Sequence, residues 1–391
     1  MKLVKLKYLC SSFTTPIMQL ELSQEGQYRV YGAGGLAGYK SDYCCDKPYL
    51  GIVKDGAGVG RINQYEPYTS LLGTLSYVIP NKDVDIGWLK YSIMSLDLGK
   101  DVGKTTIPHI YFSEYGNRHI YYVSLSEQKA IADFLDKQCA EIDSVIDQTK
   151  ATIEEYKKLK QSVITEAVTK GIRGDRPMKD SGIEWIGEIC EEYSIYRLKH
   201  LLQKPLMYGA NESGVPFDES LPRYIRITDI TLDGKLKDFG KLSLTEESAS
   251  EYILEDNDVL FARSGATVGK AFIYRSEYGK SAFAGYLIKA SVNRSVLADY
   301  LFLYTQSSLY EEWKKQIFIQ ATIQNIGADR YSNLPIVLPS IEEQQEVVSY
   351  LGQKCAEIDT LIEKKTLLLE EIETFKKSLI FDYVTGNKEV V

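Results

Sequence analysis

The sequence predicts an α+β fold in which two globular regions stand in tandem and each is followed by one long α-helix. Two segments, 124–169 and 340–385, align without a gap and share 17 of 46 residues. Ahead of each segment, short β-branched and aromatic runs alternate with glycine-rich turns, as at 49–53 and 259–262. A length of 391 residues also exceeds one average domain. We therefore predict an internal repeat with an approximate two-fold relation between its halves.

Each globular region contains a glycine-rich turn that is bounded by basic residues. Lys54 to Arg61 matches Arg263 to Lys270 when the sequence is shifted by 209 positions. Glycine adopts positive φ freely, so the simpler interpretation of both segments is a tight turn between two strands. The alternative adds a function, because a glycine-rich turn flanked by basic residues lets the backbone approach a polyanion closely.

A second repeated segment precedes each long helix. Thr106 to Ile110 matches Thr322 to Ile326 at a shift of 216 positions, the same shift that relates the two helices. The shift falls from 216 to 209 at the turns and to 192 near the N-terminus. The second globular region is therefore expected to hold roughly two dozen extra residues.

The two long segments predict helices that pair as an antiparallel coiled coil. Each opens with a Ser-x-x-Glu box, Ser124 with Glu127 and Ser340 with Glu343, which satisfies free amides at a helix start. Apolar residues follow a 4,3 spacing. The predicted helix-pairing residues are Ile142, Ile146, Ile153, Tyr156, Ile358, Ile362, Leu369 and Ile372.

A second apolar row is expected to widen the buried stripe of each helix. Its members are Val145, Thr152, Leu159, Leu361, Leu368 and Phe375. The alternative is a charged helix that is solvated on its own, which needs no matching apolar rows in the two copies.

These elements give predicted domain bounds. The first globular region is 1–123 and the first long helix is 124–170. A linker of turn composition follows at 171–180, the second region is 181–339, and the second helix with its tail is 340–391.

Composition and motifs narrow the classes of function. The formal net charge is −8 and most of it lies in the two helical segments, so global charge gives no support to nucleic-acid binding. Six cysteines form no CxxC pair and only three histidines occur, which leaves little support for a zinc site. The glycine clusters do not complete a GxGxxG order, and no nucleophile or base constellation is found. The missing nucleophile and base constellation predicts a non-catalytic protein. Since no run of eighteen apolar residues occurs, we also expect a cytoplasmic protein.

Several sequence segments resemble parts of the specificity subunits of type I DNA restriction and modification systems (HsdS). Lys179 to Ile189 looks like the lead-in to a recognition domain, and Arg263 to Lys270 looks like its central Arg-x-Gly-x-x-Gly-Lys turn. Leu338 to Gln344 looks like the junction into the helix. Cys190 stands where that lead-in usually has proline, and the resemblance covers essentially the whole chain.

The resemblance implies a non-catalytic DNA-reading subunit. Each globular region would read one part of a split, asymmetric DNA site, and the helices would set the spacer and dock two adenine methyltransferase subunits. Those subunits would carry S-adenosylmethionine, and restriction subunits would bring ATP and Mg, so this chain is expected to bind no cofactor or metal. The predicted DNA-contacting residues are Lys54, Arg61, Thr105, Thr106, His109, Arg263, Ser264, Lys270, Thr322, Gln324 and Asn325.

Two other functions remain open on the sequence. One is a non-enzymatic adaptor with two ligand-binding heads on a coiled-coil stalk, and the other is a nucleotide-dependent enzyme that uses the glycine turns. Methyltransferase and helicase-nuclease genes beside this one would favour the DNA-reading subunit.

Overall fold

A computed structural model describes residues 2–56, 58–100, 108–231, 234–265, 267–319 and 324–390. The chain divides into two compact units, one formed by residues 1–151 with 365–391 and the other by residues 152–364. Both contain strands and helices, and each takes part of both long helices. The predicted α+β class with two long helices is confirmed. The domain bounds given above stay a prediction.

The first unit is built on a four-stranded antiparallel sheet in the order β2-β8-β5-β6. A three-stranded sheet β4-β3-β7 and the pair β1-β9 accompany it. Its elements are β1 (Lys2–Lys5), β2 (Cys10–Phe13), β3 (Tyr28–Gly32), β4 (Gly35–Lys40), β5 (Tyr49–Val53), β6 (Ile62–Tyr65), β7 (Ser70–Leu71), β8 (Leu75–Pro80), α1 (Ile86–Met94), α2 (Phe112–Tyr115), β9 (His119–Tyr122) and the start of α3 (Leu125–Thr169).

The second unit repeats this plan with a four-stranded sheet in the order β13-β20-β17-β18. The pair β12-β21 corresponds to β1-β9, and the accompanying sheet β14-β16-β15-β19 has four strands instead of three. Its elements are β10 (Met178–Asp180), β11 (Glu188–Cys190), β12 (Ser194–Arg197), β13 (Met207–Tyr208), β14 (Val215–Pro216), β15 (Arg223–Ile225), β16 (Leu242–Ser243), α4 (Glu246–Ala249), β17 (Val259–Ala262), β18 (Ala271–Ile273), β19 (Ser281–Phe283), β20 (Leu287–Ala290), α5 (Ala298–Tyr304), α6 (Ser308–Ile319), α7 (Ala328–Ser332), β21 (Pro335–Leu338) and most of the first half of α8 (Ile341–Thr385).

Both cores are closed by segments of the long helices. In the first unit, Leu379 and Ile380 of α8 are buried with Trp88 and Leu135. In the second unit, residues 164–168 of α3 pack among the tyrosines and tryptophan of α5 and α6. Burying apolar area removes it from water at roughly 25 cal/mol per Å², so these helical segments stabilise the units and not only each other.

The two helix starts differ although their sequences match. At α3 the Ser124 hydroxyl accepts from the Glu127 amide at 3.4 Å, and the Glu127 carboxylate accepts from the Ser124 amide at 3.0 Å. These hydrogen bonds from Ser124 hold the pKa of the Glu127 carboxyl below its ordinary value. The predicted box is complete at this helix.

At α8 only half of the predicted box forms. The Glu343 amide donates to the Ser340 hydroxyl at 3.3 Å, but the Glu343 carboxylate is buried and binds Arg176 and the Tyr193 hydroxyl instead. The hydrogen bond to Glu343 raises the pKa of the Arg176 guanidinium. The carboxylate therefore fixes the segment before the second globular region to the start of α8.

A buried glutamine joins each long helix to the preceding region. Gln128 accepts from the Asp85 amide at 2.8 Å and donates to the Val123 carbonyl at 2.9 Å. Gln344 accepts from the Leu297 amide at 2.9 Å and donates to the Pro339 carbonyl at 3.0 Å. The two glutamines are 216 positions apart, so the repeat extends to individual hydrogen bonds.

In each unit the segments of α3 and α8 pair by the same charged contact. Lys376 donates to Asp143 at 2.6 Å in the first unit, and Lys160 donates to Asp359 at 2.7 Å in the second. Within the first unit Phe134 of α3 also packs on Tyr383 of α8, so numbers rise along one helix as they fall along the other. The pairing is antiparallel, and the lysines that interrupt the apolar pattern contact aspartates of the opposite helix.

The predicted helix-pairing residues are buried or half-buried. Ile146, Ile153 and Ile358 are buried, whereas Ile142, Tyr156, Ile362, Leu369 and Ile372 are half-buried.

The prediction that the second apolar row is buried is wrong. Thr152 is half-buried, and the five apolar members are exposed by 39% to 57% of their surface: Val145, Leu159, Leu361, Leu368 and Phe375. The physical reason is that two paired helices cover one stripe, and a flanking row needs a third element to cover it. Each unit therefore carries exposed apolar side chains on its helices.

Candidate nucleic-acid interface

The basic turn of the second unit connects β17 to β18. The Gly269 amide donates to the Ala262 carbonyl at 2.8 Å, and the Ala262 amide donates to the Lys270 carbonyl at 2.8 Å. Gly265 and Gly269 have φ of +78° and +84°, a region in which a Cβ is strained. A Cβ on Gly265 would meet no heavy atom within 4 Å, so backbone is open to solvent there.

The turn of the first unit has the same hydrogen bonds. It connects β5 to β6, with the Gly60 amide donating to the Val53 carbonyl at 2.9 Å and the Val53 amide donating to the Arg61 carbonyl at 2.9 Å. Gly56 and Gly60 have φ of +87° and +85°. The predicted tight turn between two strands is confirmed in both units.

The second repeated segment lies against the turn in each unit. The Ile110 amide donates to the Lys54 carbonyl at 3.1 Å, and the Ile326 amide donates to the Arg263 carbonyl at 2.8 Å. Asp55 forms a bridge with His109, and Ser264 forms one with Asn325. The structure thus brings together predicted residues that are far apart in sequence, while Thr105, Thr106 and Thr322 lie outside the described residues.

Side chains differ between the two turns. In the first unit Asp55 contacts the His109 ring and lies 3.6 Å from the Lys54 ammonium, so a carboxylate offsets part of the positive charge. The Arg61 guanidinium donates to the Gly58 carbonyl at 3.4 Å. In the second unit Ser264 stands at the position of Asp55, which leaves that turn more basic.

A lysine-rich cleft lies beside the second turn. Its volume is about 540 Å³, and α3, the turn and α6 all contribute to its walls. The lining lysines are Lys157, Lys158, Lys160, Lys270 and Lys314, with Glu311 as the acidic side chain among them. This cleft could not be predicted from the sequence, because its lysines come from three segments. The basic run Lys157-Lys158-Leu159-Lys160 was the sequence feature that could have indicated it.

In the described part of the chain, no three or more His, Cys, Asp or Glu side chains are grouped so that they could hold a metal ion. Among the same residues, no helix combines the length and the apolar character that crossing a bilayer requires.

Comparisons with known proteins agree with this architecture. Residues 224–373 match the family model of the type I restriction modification DNA specificity domain, and this stretch contains the second turn and Asn325. The chain is 24% identical over 296 residues to the EcoBI specificity subunit of Escherichia coli, covering 72% of this chain and 61% of that protein. It is 26% identical over 360 residues to the MjaVIII specificity subunit of Methanocaldococcus jannaschii, covering 87% and 79%.

The chain is similar to type I restriction-modification specificity subunits over most of its length. A solved structure described as concerning assembly and conformational transition of the type I R-M system shares the fold, with a TM-score of 0.68 at 15% identity over 99% of this chain and 98% of that one. The predicted resemblance to specificity subunits is confirmed. The contacts assigned to single residues of this chain stay predictions.

Proposed function

We propose that this chain is the DNA sequence-specificity subunit of a type I restriction-modification complex, and that each globular region reads one part of a bipartite, asymmetric DNA site. The observation that carries the proposal is the pair of turns. Both have open glycine backbone, basic flanks and the same supporting segment, and one lies within the matched DNA specificity domain. Such a turn positions a chain on phosphates, while neighbouring side chains reach base edges.

The helices have a length and a surface suited to spacing and docking. Each has 45 residues, which corresponds to about 67 Å at 1.5 Å per residue, or about two turns of DNA at roughly 34 Å each. Their exposed apolar rows are the surface on which two adenine methyltransferase subunits would dock. In this proposal S-adenosylmethionine belongs to those subunits, ATP and Mg belong to restriction subunits, and this chain supplies no catalytic group.

The decisive experiment is methylation in cells and in vitro. Cells that express this chain with its methyltransferase partner are expected to methylate adenine at a two-part motif, and deletion of this chain is expected to remove that motif from the methylome. The purified chain alone is expected to show no methylation, no cleavage and no S-adenosylmethionine binding. A methylome that does not change on deletion would support the adaptor instead.

The lysine cleft is expected to contact DNA phosphates. Replacing Lys158 and Lys314 by alanine removes two cleft ammonium groups, and the slope of log affinity against log salt should fall by about 2, at roughly 0.9 per phosphate contact. Binding is measured on the assembled methyltransferase complex. Lys315→Ala is the matched control, because Lys315 is on the same helix and pairs with Glu312 as Lys314 pairs with Glu311, but does not line the cleft. An equal slope change in both variants would contradict the assignment.

A further inference from the structure

The backbone of Arg263 is held on both sides. Its amide donates to the Tyr286 carbonyl at 3.0 Å, and its carbonyl accepts from the Ile326 amide at 2.8 Å. Arg263 therefore lies between the strand β20 and the segment that precedes α7, in a part of the turn whose position is fixed. Tyr286 itself is 62% exposed, so the surface around this backbone is accessible.

The guanidinium of Arg263 rests on an aromatic ring. Its central carbon lies 4.9 Å from the centroid of the Tyr208 ring, a cation–π geometry. The ring is fixed as well, because the Tyr208 hydroxyl accepts from the Ala328 amide at 2.9 Å. Stacking on a fixed ring restricts the plane of the guanidinium before any partner binds, which lowers the entropic cost of a directional contact.

Among the described residues, the Arg263 guanidinium also lacks an acceptor at its Nε. Its Nε is buried and meets no hydrogen-bond partner in the described part of the chain, and no described carboxylate pairs with it. Arg275 of the same unit contrasts with it, since its guanidinium pairs with Asp299 and Asn257. A buried donor left unpaired is unfavourable, so the Arg263 site is suited to an acceptor that arrives with a ligand.

We propose that Arg263 reads a guanine in the half-site of the second unit by donating two hydrogen bonds to guanine O6 and N7, an inference that rests on the proposed DNA-reading function. A guanidinium held in one plane presents two parallel N–H donors to these two acceptors. For this reason arginine on guanine is the commonest specific contact in the major groove. Phosphate needs only a positive charge, and the lysines of the neighbouring cleft provide it. The open face of Gly265 lets the turn come close to the base edges.

The corresponding residue of the first unit presents different donors. Lys54 is a single ammonium beside Asp55, without the two parallel donors of arginine. The two half-sites are therefore read by different chemistry at equivalent positions of the repeat. This difference gives the inference an internal control, because changes at Arg263 should leave the other half-site intact.

The test measures which motif is methylated when the chain is expressed with its methyltransferase partner. Arg263→Lys and Arg263→Gln are each expected to relax one guanine position of one half-site, with discrimination against the other bases falling on the order of 10- to 100-fold. Tyr208→Leu, which keeps the arginine but removes its ring, should lower discrimination at the same position. Arg275→Lys, a change of the same kind on a paired arginine, should methylate the wild-type motif.

A binding assay on the assembled wild-type complex completes the experiment. Replacing that guanine by 7-deazaguanine removes the N7 acceptor, and affinity should fall for the wild-type chain but change little for Arg263→Lys. An unchanged motif in folded Arg263→Lys, judged by its melting temperature, overturns the inference and leaves the proposed function standing. A wild-type motif that contains no guanine in either half-site also overturns the inference and leaves the proposed function standing. Absence of any bipartite motif with the wild-type chain overturns both.

Discussion

Replacing Glu343 by alanine is expected to lower the free energy of unfolding of the second unit by about 3–5 kcal/mol. The carboxylate is 3% exposed, and its partner Arg176 has a side chain that is 10% exposed. Removing the carboxylate leaves the nearly buried guanidinium with the exposed Glu192 carboxylate as its partner, and takes the acceptor from the Tyr193 hydroxyl. Urea and thermal denaturation of the purified chain would measure the loss.

Two control variants separate burial from helix capping. Glu127→Ala changes the equivalent position of the repeat, where the carboxylate is exposed and only caps the helix, so a smaller loss of stability is expected. Glu346→Ala removes a surface partner of Arg173 and should change the stability least of the three. Equal losses at Glu343 and Glu127 would show that the buried cluster adds nothing to the cap.

Charging the exposed apolar row is expected to block assembly with the methyltransferase subunits. Leu368→Asp with Phe375→Asp replaces side chains that are 39% and 57% exposed, so folding should be little affected. If both side chains are buried on docking, two substitutions at about 2 kcal/mol or more each lower the affinity on the order of 1,000-fold. Size-exclusion chromatography and a titration with the methyltransferase subunit would measure the complex.

The matched control for this variant is Glu370→Lys. Glu370 follows Leu368 by two residues, which places it about 200° around the same helix, and it is also exposed. This variant should assemble normally. Normal assembly of the double aspartate variant, at an unchanged melting temperature, would contradict docking on the apolar row.

Much of the fold could be predicted because its signals are local or repeated. The Ser124 box, the glycines of both turns and the β-rich runs at Tyr49 and Val259 are set by backbone preferences within a few residues. The repeat adds a second, independent copy of each signal. Elements of this kind can be predicted without knowledge of the tertiary structure.

The rest depends on contacts between distant segments. The box at Glu343 has the same sequence as its copy, but Arg176 and Tyr193 arrive from more than a hundred residues away and take its carboxylate. Periodicity identified the row containing Phe375 as apolar, but it does not say whether anything covers that row. For the site, the turns were predicted, whereas Tyr208 under Arg263 was not, since no pattern links residues 55 positions apart.

The first unit can complete its core only after the ribosome has synthesised the last part of the chain. Its core includes Leu379, Ile380 and Val384, which a ribosome adds after all of the second unit, residues 152–364. More than two hundred residues lie between residue 151 and these side chains. At about 5–20 residues per second, their synthesis takes roughly 10–40 s. During this interval the second unit can complete its own core, while the nascent first unit leaves uncovered the apolar surface that these residues later occupy. Its need for chaperone protection is therefore greatest in the half of the chain that is made first.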